Sequence, residues 1–293
     1  MRLSEINARD PFVLPVGDTY YMYGTVKGTR RGEAMEFPVY YSSDLKEWEA
    51  SKITLDFSNG FRADSDFWAP DVFFLRGKYY MFLTCSEKGK KRGTYVFAAK
   101  TPTGIFKPVS PDPITPGDRQ CLDATLYVED GVPYLLYAWE WLEVGNGKIV
   151  LSRLSDDLTK RLDDGVIIYD AYSSGISREI SGTYRGEKVS GYVTDAPLIY
   201  KTKGGKYLLL WSTFSDNGYS IAVAASDSLS GKYRHEKLLY GRDGGHAMIF
   251  HTFGGEQFIS FHSPNSPPEE RPFFYALSEW DNMLKIENKE ELF

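Results

Sequence analysis

One phrase recurs five times along the 293 residues: a polar residue, an apolar strand, a short turn and an aromatic-rich strand. It reads DPFVLPVGDTYYMYGT from Asp10, DVFFLRGKYYMFLT from Asp71, DATLYVEDGVPYLLYAW from Asp123, DAPLIYKTKGGKYLLLWS from Asp195 and HAMIFHTFGGEQFISFH from His246, with starts 61, 52, 72 and 51 residues apart. The turns inside the phrases, such as Arg76-Gly77 and Gly254-Gly255, carry residues that tolerate the positive φ of a tight hairpin. A third strand and often a fourth follow, as in 94–109 and 220–236. A small antiparallel sheet repeated every ~50 residues is the pattern of a β-propeller, whose blades pack around an axis and leave only short edges exposed. The spacing predicts an all-β, five-bladed β-propeller of four-stranded antiparallel blades, filling residues 1–293 as one domain. A β-sandwich of similar spacing would not put an acid or imidazole ahead of the first strand every time.

The first strand of each blade lines a propeller's axis, so Asp10, Asp71, Asp123, Asp195 and His246 are expected to converge around one mouth. Any one of these Asp residues alone reads as a turn cap. Four carboxylates on one rim raise each other's pKa values and imply a use, either catalysis or a cation. Glycosidic cleavage uses such a pair, one carboxyl kept protonated for the leaving oxygen and one ionised to activate water or attack carbon. Hard cations also take carboxylate oxygens, but His246 is a poor calcium ligand and no dense Asp/Asn loop occurs. No cofactor is therefore expected, and a calcium near His246 would be held through water.

The net charge of −6 offers no basic patch for nucleic acid, and no run approaches the ~18 apolar residues of a membrane span. The start, MRLSEINARD, lacks the features of a secretory leader, from which a cytoplasmic location is expected. Cys85 and Cys121 lie in strand-like text and read as buried free thiols. The oligomeric state is left open.

Arg9-Asp10-Pro11, Trp68-Ala69-Pro70-Asp71, Leu122-Asp123-Ala124, Thr194-Asp195-Ala196-Pro197 and Gly244-Gly245-His246 together resemble glycoside hydrolase family 43 over essentially the whole chain. The resemblance implies an inverting five-bladed propeller glycosidase acting on arabinosides and xylosides. It makes Asp10 the general base, Asp123 the residue that orients the acid and tunes its pKa, and Asp71 a pocket residue. The family's acid is a Glu in Thr-Glu-Gly-Pro, where this chain has Asp195, one methylene shorter. Misplacement by about an ångström can cost about 100-fold in rate. The acid is therefore Asp195, or else Glu140, which ends a second strand that returns to the rim, or Glu179.

Among the aromatic residues, Trp68 is the expected sugar-stacking ring, three residues before a rim Asp. His246, His262 at the end of the fifth second strand, and Arg271 soon after it are further expected substrate contacts. The Gly- and Ser-rich stretch 170–192 reads as a pocket-closing loop, which favours exo action on short oligosaccharides of α-L-arabinofuranosides or β-D-xylosides. The competing readings are a carbohydrate-binding propeller without catalysis, and a related propeller phosphorylase or fructan-type hydrolase.

Overall fold

The computed structural model describes residues 1–25, 30, 32–58, 60–184 and 186–287, so the one-domain expectation over 1–293 extends past them at 288–293. Among the described residues, the strands form five four-stranded antiparallel units and one separate hairpin. The first unit is β1 (Phe12–Val16), β2 (Thr19–Tyr23), β3 (Ala34–Ser42) and β4 (Glu49–Asp56), and the second is β5 (Ser65–Leu75), β6 (Lys78–Ser86), β7 (Gly93–Ala99) and β8 (Ile105–Pro108). A short parallel pairing of β4 with β8 joins these two edge to edge. The third unit is β9 (Cys121–Glu129), β10 (Val132–Trp139), β11 (Lys148–Arg153) and β12 (Val166–Asp170). A single helical turn, α1 (Trp141–Val144), follows β10. The stretch expected to be a loop instead holds the hairpin β13 (Ile180–Tyr184) and β14 (Glu187–Gly191), which packs on α1. The fourth unit is β15 (Asp195–Lys201), β16 (Tyr207–Ser215), β17 (Gly218–Ser226) and β18 (Arg234–Tyr240), and the fifth is β19 (Gly245–His251), β20 (Gln257–Ser263), β21 (Arg271–Trp280) and β22 (Met283–Ile286).

The units meet in a closed circuit. First strands touch in the order β1, β5, β9, β15, β19 and back to β1. One apolar core fills each junction: Phe37 and Leu55 with Phe67 and Phe97, Phe82 and Val96 with Leu135 and Val150, Leu136 and Ile149 with Leu209 and Trp211, and Leu210 and Val223 with Ile259 and Phe261. The fifth core, of Met22 and Trp48 with Phe250 and Phe258, joins the last unit to the first. Strands such as YLLLWSTFS of β16 are buried along nearly their whole length because both faces lie against neighbouring sheets. Each fully buried Leu or Phe in such a junction contributes about 1.5–3 kcal/mol. Cys85 and Cys121 are buried and free, as the sequence indicates.

All five first strands carry the same bulge. Between the pairs Trp68–Thr84 and Asp71–Phe82, the first strand advances three residues while its partner advances two. The same shift separates Leu122–Ala138 from Thr125–Leu136, Asp195–Ser212 from Leu198–Leu210, and Gly245–His262 from Met248–Ser260. In the first unit it lies between the Thr25 to Arg9 hydrogen bond and the Phe12–Tyr23 pair. The extra residue sits in the left-handed region each time: Asp10 (φ 55°), Ala69 (48°), Asp123 (53°), Ala196 (46°) and His246 (60°). The equivalent positions are thus not quite the five polar residues that open the repeated phrase. Asp71 stands two residues beyond its bulge, and Asp195 one residue before.

Candidate active site

The bulges place backbone amides at the junctions, and each amide is taken up by a side chain of the preceding unit. Ala69 N donates to Thr25 Oγ1 at 2.9 Å, Asp123 N to Thr84 Oγ1 at 2.9 Å, and His246 N to Ser212 Oγ at 2.8 Å. Asp10 N donates to His262 Nδ1 at 3.2 Å, closing the circuit from the fifth unit to the first. These acceptors share one register position at the end of the second strand. In the third unit that position is Ala138, which has no acceptor, and the Asp123 carboxylate takes its place, accepting from Ala196 N at 3.1 Å. The missing hydroxyl thus commits Asp123 to the backbone beside Asp195.

A cavity of about 390 Å³ opens where these features meet, lined by Arg9, Asp10, Thr25, Trp68, Leu122, Asp123, Glu140, Trp141, Asp195, Tyr219, His246 and Pro267. His246 Nδ1 lies 3.1 Å from Asp10 Oδ1 and 3.8 Å from Asp123 Oδ2, so one imidazole stands between two carboxyls. Burial alone would push Asp10 up. The imidazoles of His246 and His262, the Arg9 guanidinium and a hydrogen bond from Thr25 outweigh it and hold Asp10 at about 2. Burial raises Asp195 to about 7, reinforced by the charges of Glu140 and Asp10 and opposed by Arg9 and by the Tyr219 hydroxyl, which donates to Asp195 Oδ2 at 3.1 Å. Asp123 is pushed well above the usual carboxylate range by burial and by the neighbouring charges of Asp195 and Asp10. Asp10 is therefore ionised from mildly acidic pH upward, while Asp195 retains a proton to near neutrality.

Glu140 also lines the cavity, and burial raises its pKa, an effect that Arg92, whose Nη1 is bonded to its Oε1 at 2.7 Å, opposes without cancelling. Arg92 also lies 4.3 Å over the Trp68 ring and 3.1 Å from Asp66, so it fixes both Glu140 and Trp68 at the rim. Glu179 does not line the cavity and is exposed, accepting from Ser190. The hairpin of β13 and β14 meets the site at Trp141, whose ring occupies the space a side chain at Gly182 would need.

Three expected substrate contacts lie elsewhere. Asp71 is buried outside the lining, and burial raises its pKa to about 8. His262 is fully buried and lies behind Asp10, whose amide donates to its Nδ1. Arg271 turns away to the carbonyls of Ser4, Pro268 and Glu270, where it ties the chain's start to the fifth unit. Conversely, Thr25, Tyr219 and Pro267 line the cavity and were not singled out from the sequence. Thr25 lies just past the end of a second strand, as Glu140 does, and the same rule would have found it; Tyr219 stands near the start of a third strand and carries no such signal. Among the described residues, no group of three or more His, Cys, Asp or Glu side chains is arranged to hold a metal ion directly.

A sequence model of the glycosyl hydrolases family 43 matches residues 3–282. The chain is 36% identical to a solved structure described as an endo-arabinase from Bacteroides thetaiotaomicron, with a TM-score of 0.86 over 96% of this chain and 98% of that one. A structure described as an endo-1,4-β-xylanase from the same organism shares the fold at 22% identity, with a TM-score of 0.73 over 97% of this chain and 95% of that one. A curated relative from Cellvibrio japonicus, described as an extracellular exo-α-(1→5)-L-arabinofuranosidase, is 21% identical over 88% of this chain and 79% of its own length. That relative corrects the expectation of a cytoplasmic location, which rested on the first ten residues alone. A secretory leader is cleaved from a mature chain, so such residues say nothing of compartment.

Proposed function

The chain belongs to family 43 of the glycosyl hydrolases and is a glycoside hydrolase, and we propose that it cleaves terminal α-L-arabinofuranosides from oligosaccharides with inversion. The observation that carries this reading is the contrast across one cavity between Asp10, held at about 2, and Asp195, held at about 7. In this reading the ionised Asp10 activates water, and the protonated Asp195 donates to the leaving oxygen. Asp123, tied to the Ala196 amide, orients that acid and discourages its ionisation. Glu140, already paired with Arg92, is the poorer donor and holds substrate, with Trp68 stacking on a sugar face. Arabinose is favoured over xylose because the relative at 36% identity and the curated relative both have arabinose-directed names. A cavity at the small end of ligand sites suits a short sugar segment and favours exo action. The closed circuit of first strands and junction cores supports reading the five sheets as blades of one propeller.

The test compares aryl arabinofuranosides, aryl xylosides and arabino-oligosaccharides in phosphate-free buffer, with and without prior dialysis against a chelator. Release of single arabinose from the earliest times, with the inverted anomer seen by NMR and no effect of chelator or phosphate, is expected. Retention of configuration, a ladder of products, xyloside preference, phosphate dependence or loss restored by calcium would each overturn the matching part.

A further inference from the structure

Four side chains, of which only Tyr219 lines the cavity, form a closed circuit joining the two carboxylates assigned as acid and base. The Tyr219 hydroxyl is bonded to Asp195, and its ring lies 5.8 Å from the His262 ring at 24°. His262 Nδ1 accepts the Asp10 amide, so the imidazole proton is on Nε2, which donates to Asn265 Oδ1 at 3.2 Å. Asp243 completes the circuit, with Oδ1 accepting from Tyr219 N and Oδ2 from Asn265 N, each at 3.3 Å. The surrounding backbone leaves room for this arrangement and no more. A Cβ on Gly245 would lie 2.2 Å from the Tyr219 ring, and one on Gly218, at φ +89°, would lie 2.9 Å from Asp243 Oδ1.

We propose that Tyr219 and His262, clamped by Asp243, act as one positioning unit that fixes the acid Asp195 relative to the base Asp10. The inference rests on the roles given to those two carboxyls above. A donor on Oδ2 leaves the acid's proton on Oδ1, so Tyr219 selects the oxygen presented to the leaving group. The stacked His262 fixes the backbone from which Asp10 projects, so a displacement of either ring is felt at both ends. Asp243 touches neither carboxyl and acts through Tyr219 and Asn265.

Tyr219→Phe and Asp243→Asn are close in shape to the native residues and suited to the test. Both are assayed on an arabino-oligosaccharide and on an activated aryl arabinofuranoside across pH, together with Asp195→Ala. For Tyr219→Phe, kcat on the oligosaccharide is expected to fall about tenfold or more with little change in KM, and the aryl substrate to lose less. The alkaline limb of kcat/KM is expected to move to higher pH, because the lost hydroxyl no longer favours ionised Asp195 while Glu140, Asp10, Asp123 and Arg9 still face it. A merely structural defect would lower both activities without moving that limb. Asp243→Asn is expected to act in the same direction, and the double variant to be no worse than the poorer single, as for groups that act together. Normal kcat with an unmoved limb in Tyr219→Phe, or additive losses, overturns the inference while an inactive Asp195→Ala leaves the acid assignment standing. Full oligosaccharide turnover by Asp195→Ala overturns the assignment and the inference with it.

Discussion

Asp195 is a short acid whose proton is kept by its surroundings. Burial and the nearby charges of Glu140 and Asp10 hold that proton to about pH 7, where an acid of ordinary pKa would have lost it. Asp195→Ala is expected to reduce turnover of oligosaccharides by about 100-fold or more, while aryl glycosides, whose leaving groups need little protonation, lose far less. Asp10→Ala is expected to abolish both, and Glu140→Ala mainly to raise KM. Steady-state kinetics on the two substrate types decide the matter, and the reverse pattern between Asp195 and Glu140 would exchange their roles. The sequence brought out Asp10, Asp123, Asp195, His246, Trp68 and Glu140 because each stands next to a repeated strand boundary. It does not fix the direction of His262 and Arg271, because nearness to a rim in the chain does not say which way a side chain turns. His262 is turned inward against Tyr219, and Arg271 is drawn to three carbonyls.

The bulge is the element that makes the site. By inserting one residue in the left-handed region at each junction, it turns an amide toward the preceding unit and departs from the simple alternation of a strand. The repeated phrase is plain in the sequence, but the bulge is not, since Asp, Ala and His all occupy its first position. Alignment by the polar residue therefore put Asp71 level with Asp10, when pairing puts Ala69 there. The latch at Ala138 is the informative exception. Thr25, Thr84 and Ser212 show that the corresponding space in other units accepts a hydroxyl. Ala138→Ser is expected to supply the missing acceptor to the Ala196 amide and release Asp123. Under the proposed roles, release of Asp123 should lower kcat on oligosaccharides by about tenfold or more with thermal stability kept, since small misplacements near the reacting atoms are costly. An unchanged kcat in a folded Ala138→Ser protein would show that the Asp123 to Ala196 bond does not place the acid.

At the scale of the whole molecule, closure between the fifth unit and the first rests on scattered contacts that no repeat announces: Asn7 to the carbonyls of Pro268 and Glu270, Arg271 to Ser4, Ser260 to Pro11, and the core of Met22 and Trp48 with Phe250. The repeat count implied such a closure without naming the residues that make it. Gathering buried ionisable groups at the centre has a cost that varies with pH. Asp71 and Asp195 keep their protons to about 8 and about 7 in the folded chain, against an ordinary 3.8, so the unfolded chain releases them first. The folded state then binds more protons between those values, and stability falls as pH rises through that range. The buried His246 and His262 act oppositely, their pKa values being lowered, that of His262 to about 4 from an ordinary 6.5, so their contribution rises with pH up to about 6.5. Asp10, lowered to about 2, contributes fully above 3.8 and loses that contribution only as pH falls through about 2. Below pH ~6.5 the imidazoles and carboxyls oppose each other, whereas from about 6.5 to 8 the buried carboxyls act with the imidazoles already neutral. Tm is therefore expected to decline across pH 6.5 to 8 in thermal unfolding scans, and Asp71→Asn, which keeps the shape and removes the charge, should flatten the decline. A Tm that rises across this window, or an Asp71→Asn variant with an unchanged slope, would mean that Asp71 is ionised within the fold and that its charge is balanced by the groups around it.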